Sequence, residues 1–232
     1  MALFLFKDMK TLYVLIGPPA IGKTTWIKRF APHAKVISRD DTIERIAHDN
    51  GLTYDEAYAT PPQDAAENHL VDGMEKLGIV VPSDLKWRPY DFKLCRDIHR
   101  QTASELASAS KGYANSDDDV VLDMTNMDKE NRALYMPMFT QHRKVAVVFN
   151  FKGNKLVDAL KRNAEKRSKE LAKQGKHKTI SGTVIDRMVA SYQPPEATEG
   201  FDDIVSYDNS GHLLGLNERV RKAIRSMLKG DG

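Results

Sequence analysis

The stretch GPPAIGKTT, Gly17 to Thr25, follows the apolar run Leu12 to Ile16 and leads into the amphipathic stretch TWIKRF. Gly17 to Thr24 matches G-x-x-x-x-G-K-T without exception, and it sits where the mechanism of that motif requires, between a buried strand and a helix. Glycines let the backbone wrap a phosphate closely, so that successive N–H groups and the positive helix end face the anion. Gly17, Pro18, Ala20, Ile21, Gly22, Lys23, Thr24 and Thr25 are therefore the candidate nucleotide-binding residues. Lys23 is expected to reach the β and γ phosphates, and Thr24 to place its hydroxyl on Mg²⁺. The loop alone does not separate a kinase from a GTPase, a motor or a non-catalytic switch.

Around this junction, short runs rich in Val and Ile alternate with helical patterns. Strands are expected at Leu12 to Ile16, Lys35 to Ile37, Val120 to Leu122, Val145 to Phe151 and Ile204 to Tyr207. Helices are expected at Gly22 to Phe30, Thr42 to His48, Asp91 to Ser110, Lys129 to Thr140, Leu156 to Gln174, Ile185 to Tyr192 and Leu216 to Leu228. This alternation predicts a three-layer α/β fold with a predominantly parallel sheet of about five strands. A chain of 232 residues holds one such core, so residues 1–232 are expected to form a single domain. The segment from Gly51 to Pro89 holds Pro61, Pro62, Pro82 and Pro89 and is far longer than a crossover needs. Residues 51–118 are thus expected to be a helical insertion and substrate-binding region, and 156–180 a lid.

Composition adds exclusions. The apolar start MALFLF is broken by Lys7 and Asp8, too soon for a signal-peptide core or a membrane span, and a cytoplasmic protein without a membrane partner is expected. The single cysteine, Cys95, forms no internal disulfide and reads as a passive core residue. A net charge of +3 is small, but its distribution is uneven. Gly51 to Leu85 carries seven acidic residues against Lys76, whereas Lys161 to Lys178 carries eight Lys or Arg against two Glu. Such segregation can steer a polyanion to one side of a molecule.

Two acidic clusters fall at the carboxyl ends of expected strands, where ligands bind in open α/β folds. In VISRDDTIER, Asp41 with Glu44 three residues on fits a capping box, so Asp41 is expected to be the helix N-cap. Asp40 is left to accept the proton of an attacking hydroxyl; an ion pair with Arg39 or another neighbour is its structural alternative. In VVLDMTNMDKENR, Asp123 ends a strand and is placed to complete Mg²⁺ binding with Thr24. Thr125 and Asn126 lie at the same edge, and Asp128 reads as a helix cap.

Between Leu156 and Lys178 the spacing of Leu160, Ala164, Arg167 and Leu171 marks one helix face, with Arg162, Lys166, Lys169 and Lys173 nearly opposite. The second set reads as a solvated face. Arg167 falls on the apolar stripe, where a guanidinium needs an anion, and a transferring phosphoryl group supplies one.

GPPAIGKTTW, SRDD, DMTN, KRNAEKR and TVIDRM, in this order, resemble the 5′-kinase domain of bacteriophage polynucleotide kinases and, more broadly, the kinase module of tRNA ligases. The resemblance runs from about Thr11 to Phe201, without the insertion. It implies ATP and Mg²⁺ as cofactors, Asp40 as general base for the 5′-hydroxyl of DNA or RNA, Lys23 as the phosphate-loop lysine, and a role in nucleic-acid repair. It also implies a lid arginine near the end of the KRN segment. Arg167 is the first candidate, with Arg162 and Lys166 as alternatives and Arg162 as a further nucleotide contact. One departure is Ile43, where the viral kinases carry an arginine that binds substrate phosphate; Arg39 and Arg45 are the residues that can replace it.

KWRPYDFKLCRDIHR, Lys86 to Arg100, interleaves Trp87, Tyr90 and Phe92 with basic residues. Basic side chains on phosphates and rings on bases hold single strands, so Trp87, Arg88 and Arg96 join Arg39, Arg45, Thr125 and Asn126 as candidate substrate contacts. The expected reaction is transfer of the γ-phosphate of ATP to a 5′-hydroxyl end. A kinase for another hydroxyl, such as a nucleoside, a modified base in DNA or a small metabolite, shares the core motifs.

Overall fold

A computed structural model of the chain describes residues 10–58, 92–207 and 213–215. The expected helix at 216–228 and the residues Trp87 and Arg88 lie outside the described residues. The strands are β1 (Thr11–Ile16), β2 (Lys35–Ser38), β3 (Val120–Asp123), β4 (Arg143–Phe149), β5 (Asp203–Tyr207) and β6 (Leu213–Gly215). They form one sheet in the order β2-β3-β1-β4-β5-β6. The first five are parallel, and β6, which is not among the expected strands, runs antiparallel to β5.

The helices are α1 (Lys23–Phe30), α2 (Arg39–Asp49), α3 (Tyr54–Ala57), α4 (Phe92–Ala114), α5 (Lys129–Tyr135), α6 (Asn154–Lys173) and α7 (Gly182–Ala190). All six residues of β1 are buried, as a central parallel strand covered on both faces must be. Its side chains alternate. Tyr13 and Leu15 pack with Trp26 of α1, Phe149 and Leu160 of α6, while Leu12, Val14 and Ile16 pack with Leu106 of α4, Tyr135 of α5 and Phe139. This period of two puts helices on both faces and makes three layers. Each large apolar side chain so buried contributes about 1.5–3 kcal/mol relative to exposure.

A third core lies away from the sheet. Ile43, Ile46 and Ala47 of α2, Ala57 of α3 and Ile98 of α4 are buried together, with Leu52, Tyr54 and Leu94 partly buried around them. Cys95 belongs beside it, 5 % exposed with its thiol donating to the Glu56 carbonyl at 3.4 Å, which fits its reading as a core residue.

Two boundaries differ from expectation for local reasons. α2 starts at Arg39, three residues early, because Ser38 at the end of β2 is the N-cap and its Oγ accepts from the Asp41 N–H at 3.2 Å. Asp41 is therefore not the cap, and the Asp41–Glu44 capping box is replaced by the strand-end serine. The helix from Lys129 stops at Tyr135 and continues as a 3₁₀ turn over Met136–Met138, because Pro137 carries no N–H to sustain an α-helix. Asp128 caps α5 as expected, its carboxylate accepting from the Asn131 N–H at 2.7 Å.

Candidate active site

The phosphate loop leaves β1 at Gly17. A side chain there would bring its Cβ to 3.1 Å from both Ile21 Cγ2 and Phe149 Cβ, so any larger residue would have to push these neighbours back for the loop to lie this close to the sheet. The Gly17 N–H donates to the Thr125 carbonyl at 3.0 Å, tying the loop to the segment after β3. Ala20 has φ 61° and Gly22 φ 104°, the left-handed turns that bring the chain round to α1. At the start of α1 no side chain caps the helix and its first turn has no acidic residue, so nothing of opposite sign occupies the end that a phosphate would meet.

Lys23 folds over this loop, its Nζ donating to the carbonyls of Gly17 at 2.9 Å and Pro18 at 3.0 Å. Burial lowers its pKa from the usual lysine value; the charges of Asp123 and Asp40 act the other way, and Arg167 adds to the lowering. Thr24 and Thr25 are exposed at the first turn of α1. The backbone curve, the lysine, the exposed Thr24 hydroxyl and the carboxylate of Asp123 suit a nucleoside triphosphate with a divalent cation.

Strand register sets the acidic groups beside the loop. Ser38 pairs with Asp123 across β2 and β3, so Asp40, two residues on in the first turn of α2, comes next to the end of β3. Asp123 has its pKa raised, first by burial; Lys23 and Arg167 lower it, while Asp41 and Asp40 raise it further. Lys23, Asp40, Asp123 and Arg167 thus share one electrostatic neighbourhood, assembled from α1, α2, β3 and α6.

Asp40 is 51 % exposed, and its ion pair is with Lys178, 3.3 Å away, rather than with Arg39. The Tyr54 hydroxyl donates to its other oxygen at 2.9 Å. Burial pushes the Tyr54 phenol up from its ordinary value, and the Asp40 charge pushes it further.

On α6, Leu160 and Ala164 are buried, but the stripe then leaves the core: Arg167 is exposed. Its expected place among apolar neighbours is corrected in this respect, while its charge acts on both Lys23 and Asp123. Arg162 is exposed, and Lys166 lies 4.0 Å from Glu170; neither is among the charges acting on Lys23 or Asp123. Arg162, Lys166, Lys169 and Lys173 lie on exposed surface as expected.

Other sequence candidates take different places. Ile43 is fully buried in the third core, so the position where the viral kinases carry an arginine faces apolar packing. Arg45 pairs with Glu105 of α4 and with Asp49 at 3.4 Å, which commits its guanidinium to the outer side of α2. Asn126 is 1 % exposed with φ 48°, and its Nδ2 donates to the carbonyls of Leu15 at 2.9 Å and Leu122 at 3.3 Å. It fastens the end of β3 to β1 behind the cleft, not at the open surface. Thr125 contributes its carbonyl to Gly17, and Arg39 and Arg96 are exposed.

Sequence reasoning missed Arg132. This residue is 1 % exposed; its Nε and Nη2 donate to Glu199 at 2.7 and 2.8 Å, and its Nη1 donates to the carbonyls of Asn126 and Gln193 at 3.0 and 2.9 Å. The guanidinium therefore holds the turn after β3 to the segment after α7. Tyr54 and Lys178 were missed as well: Tyr54 reaches Asp40 from the short helix after α2, and Lys178 from a remote part of the chain.

A family model described as an AAA domain matches residues 12–195. No curated protein matches the sequence. Among solved structures, a chain from the PezAT chromosomal toxin–antitoxin system of Streptococcus pneumoniae is 10 % identical with a TM-score of 0.51, over 96 % of this chain and 85 % of that one. A gluconokinase from Sinorhizobium meliloti is 15 % identical with a TM-score of 0.44, over 95 % and 93 % of the two chains. The first of these likenesses shows a shared three-layer α/β fold, and the second carries no argument of its own. Because the family match takes in the phosphate loop, both acidic strand ends and the helices α6 and α7, the chain belongs to the AAA domain family.

Proposed function

We propose that the protein is an ATP-dependent kinase whose acceptor is the 5′-hydroxyl end of DNA or RNA. The observation that carries the kinase reading is the position of Asp40. This exposed carboxylate stands beside Asp123 and within the field of Lys23, at the carboxyl ends of neighbouring strands. A switch protein has little use for such a group, whereas a phosphotransferase needs a base for the attacking hydroxyl.

Bound ATP and Mg²⁺ supply the phosphoryl group and a cation that screens it. Thr24 and Asp123 would hold the metal, and the loop from Gly17 to Thr25 the phosphates. Lys23 and Arg167 bring positive charge to the transferring group, where it stabilises charge that develops in transfer. Asp40 takes the proton of the acceptor hydroxyl as its oxygen bonds to phosphorus and the bond to ADP breaks. The polynucleotide acceptor rests on the sequence resemblance, with Arg39 and Arg96 exposed to meet phosphates. Burial of Ile43 and pairing of Arg45 favour a second reading, a kinase for a smaller hydroxyl compound.

Labelled ATP offered with a 5′-hydroxyl oligonucleotide, and separately with the same oligonucleotide already 5′-phosphorylated, tests the proposal. Label on the hydroxyl end alone is expected. Equal labelling of both sinks end-specific transfer, and labelling of neither moves the acceptor to the smaller hydroxyl. Asp40→Asn is expected to keep ATP binding and to lower transfer by about 10²-fold or more.

A further inference from the structure

Two residues outside the motifs grip Asp40. Tyr54 Oη donates to Oδ1 at 2.9 Å, and Lys178 Nζ lies 3.3 Å from Oδ2. The Lys178 side chain is only 10 % exposed and its ammonium sits 4.3 Å over the Tyr54 ring, so the three groups close a triangle. A lysine on an open surface loses side-chain freedom to hold one geometry, and its ion pair contributes little. Here the ring and the low exposure fix the ammonium in advance.

The backbone around Lys178 is fixed too. Thr179 donates from N and Oγ1 to the two oxygens of Asp55, at 2.7 and 2.8 Å, and the Asp55 N–H donates to the His177 carbonyl at 3.2 Å. Lys176 pairs with Glu44 at 3.1 Å. On the other side the Ile180 N–H donates to Ser168 Oγ at 3.3 Å, on the same helix as Arg167. The strap 176–180 therefore joins the helix that carries Arg167 to α2 and α3, where Asp40 and Tyr54 stand. Asp40 also has Asp41 and Glu44 on its own helix and Asp123 from β3 nearby, with Lys23 from α1. Lys178 offsets this accumulation of negative charge, its ammonium lying 3.9 Å from Glu44 as well.

We infer that Tyr54 and Lys178 are positioning residues for phosphotransfer: together they fix the plane of the Asp40 carboxylate for the acceptor hydroxyl, and docking of the strap delivers Lys178 to it. The inference rests on the reading of Asp40 as general base. A carboxylate that rotates freely presents its proton-accepting lone pair only part of the time, so loss of either grip lowers turnover without touching the nucleotide.

The test compares Tyr54→Phe, Lys178→Met, Lys178→Arg and Asp40→Asn with the native protein, by transfer to a 5′-hydroxyl oligonucleotide, equilibrium ATP binding and thermal unfolding. Where the native protein does not label the oligonucleotide, hydrolysis of ATP, with water as acceptor, is the rate compared. Tyr54→Phe keeps the ring under the ammonium and is expected to lower kcat by about tenfold, and Lys178→Met by about 10- to 100-fold, with KM for ATP and the unfolding midpoint near native. Lys178→Arg is expected to recover most of the rate. Native rates in Tyr54→Phe and Lys178→Met, beside an inactive Asp40→Asn, overturn the inference and leave the base assignment standing. Native rate in Asp40→Asn overturns both, as does a native protein that binds ATP but transfers its phosphoryl group to no hydroxyl, small or polymeric, and to no water.

Discussion

Arg132 and Glu199 are joined by two parallel hydrogen bonds in a place where almost no solvent reaches either side chain. Removing one partner of such a pair leaves the other charge buried and uncompensated, which costs about 3–5 kcal/mol. Arg132→Met is expected to lower the free energy of unfolding by that amount in urea, and Arg132→Met with Glu199→Leu to recover part of it. Burial raises the Glu199 carboxyl and the Arg132 hydrogen bonds lower it, leaving it below its usual 4.5. A depressed carboxyl contributes stability that is fully present above 4.5 and is lost as pH falls through the folded-state value. Acid unfolding curves of the native chain should show this loss, and those of Arg132→Met should not.

Ile43 stands three residues from Asp40 yet belongs to the apolar packing of α2, α3 and α4. Ile43→Val is expected to cost about 0.5–1.5 kcal/mol and to leave transfer intact. Ile43→Arg places a guanidinium in that core without a partner and is expected to unfold the α2–α4 region, with no gain in acceptor affinity. A folded Ile43→Arg protein with a tighter acceptor would show that the position serves the substrate.

Arg167 and Arg162 are separated by their action on Lys23 and Asp123. Arg167→Ala is expected to reduce kcat by about 10²-fold or more, the scale of losing a preorganised charge at a developing anion. Arg162→Ala is expected to stay within about threefold of native, since its charge is not among those that act on Lys23 or Asp123. Steady-state kinetics of the two variants, read side by side, decide between them.

Asn126 donates its amide to carbonyls at the ends of β1 and β3. Asn126→Asp replaces that donor with a carboxylate facing two carbonyl oxygens, and is expected to cost about 1–3 kcal/mol or more. Because the adjacent Thr125 carbonyl receives the Gly17 N–H, nucleotide affinity is expected to fall with stability. Normal ATP binding in a destabilised Asn126→Asp protein would show that this fastening does not reach the phosphate loop.

The parallel strands and the phosphate loop were legible because their signals are local: apolar runs bounded by glycine and helix formers, and a motif whose spacing is its mechanism. The nearness of Asp40 to Asp123 was legible because strand ends in an open sheet gather side chains that lie far apart in sequence. Asp41 was misplaced because a capping box can be written at several offsets, and Ser38, at the end of a strand, captured the helix first. Arg45 and Asn126 were read as polar residues near the cleft, but one reaches across to Glu105 and the other turns inward to backbone carbonyls. Periodicity carries the face of a helix and not the partner waiting there, which is also why Tyr54, Lys178 and Arg132 gave no sign in the sequence.

The third core, built from α2, α3 and the first part of α4, shares none of its buried side chains with a strand. The wall on which Asp40 and Tyr54 stand is thus packed by its own small interior, while the phosphate loop is braced by the sheet. Changes of residue that reshape this wall can be absorbed locally, without disturbing the grip on the nucleotide. On the reading of Asp40 proposed above, the acceptor side of such a chain can change while its phosphate loop stays as it is.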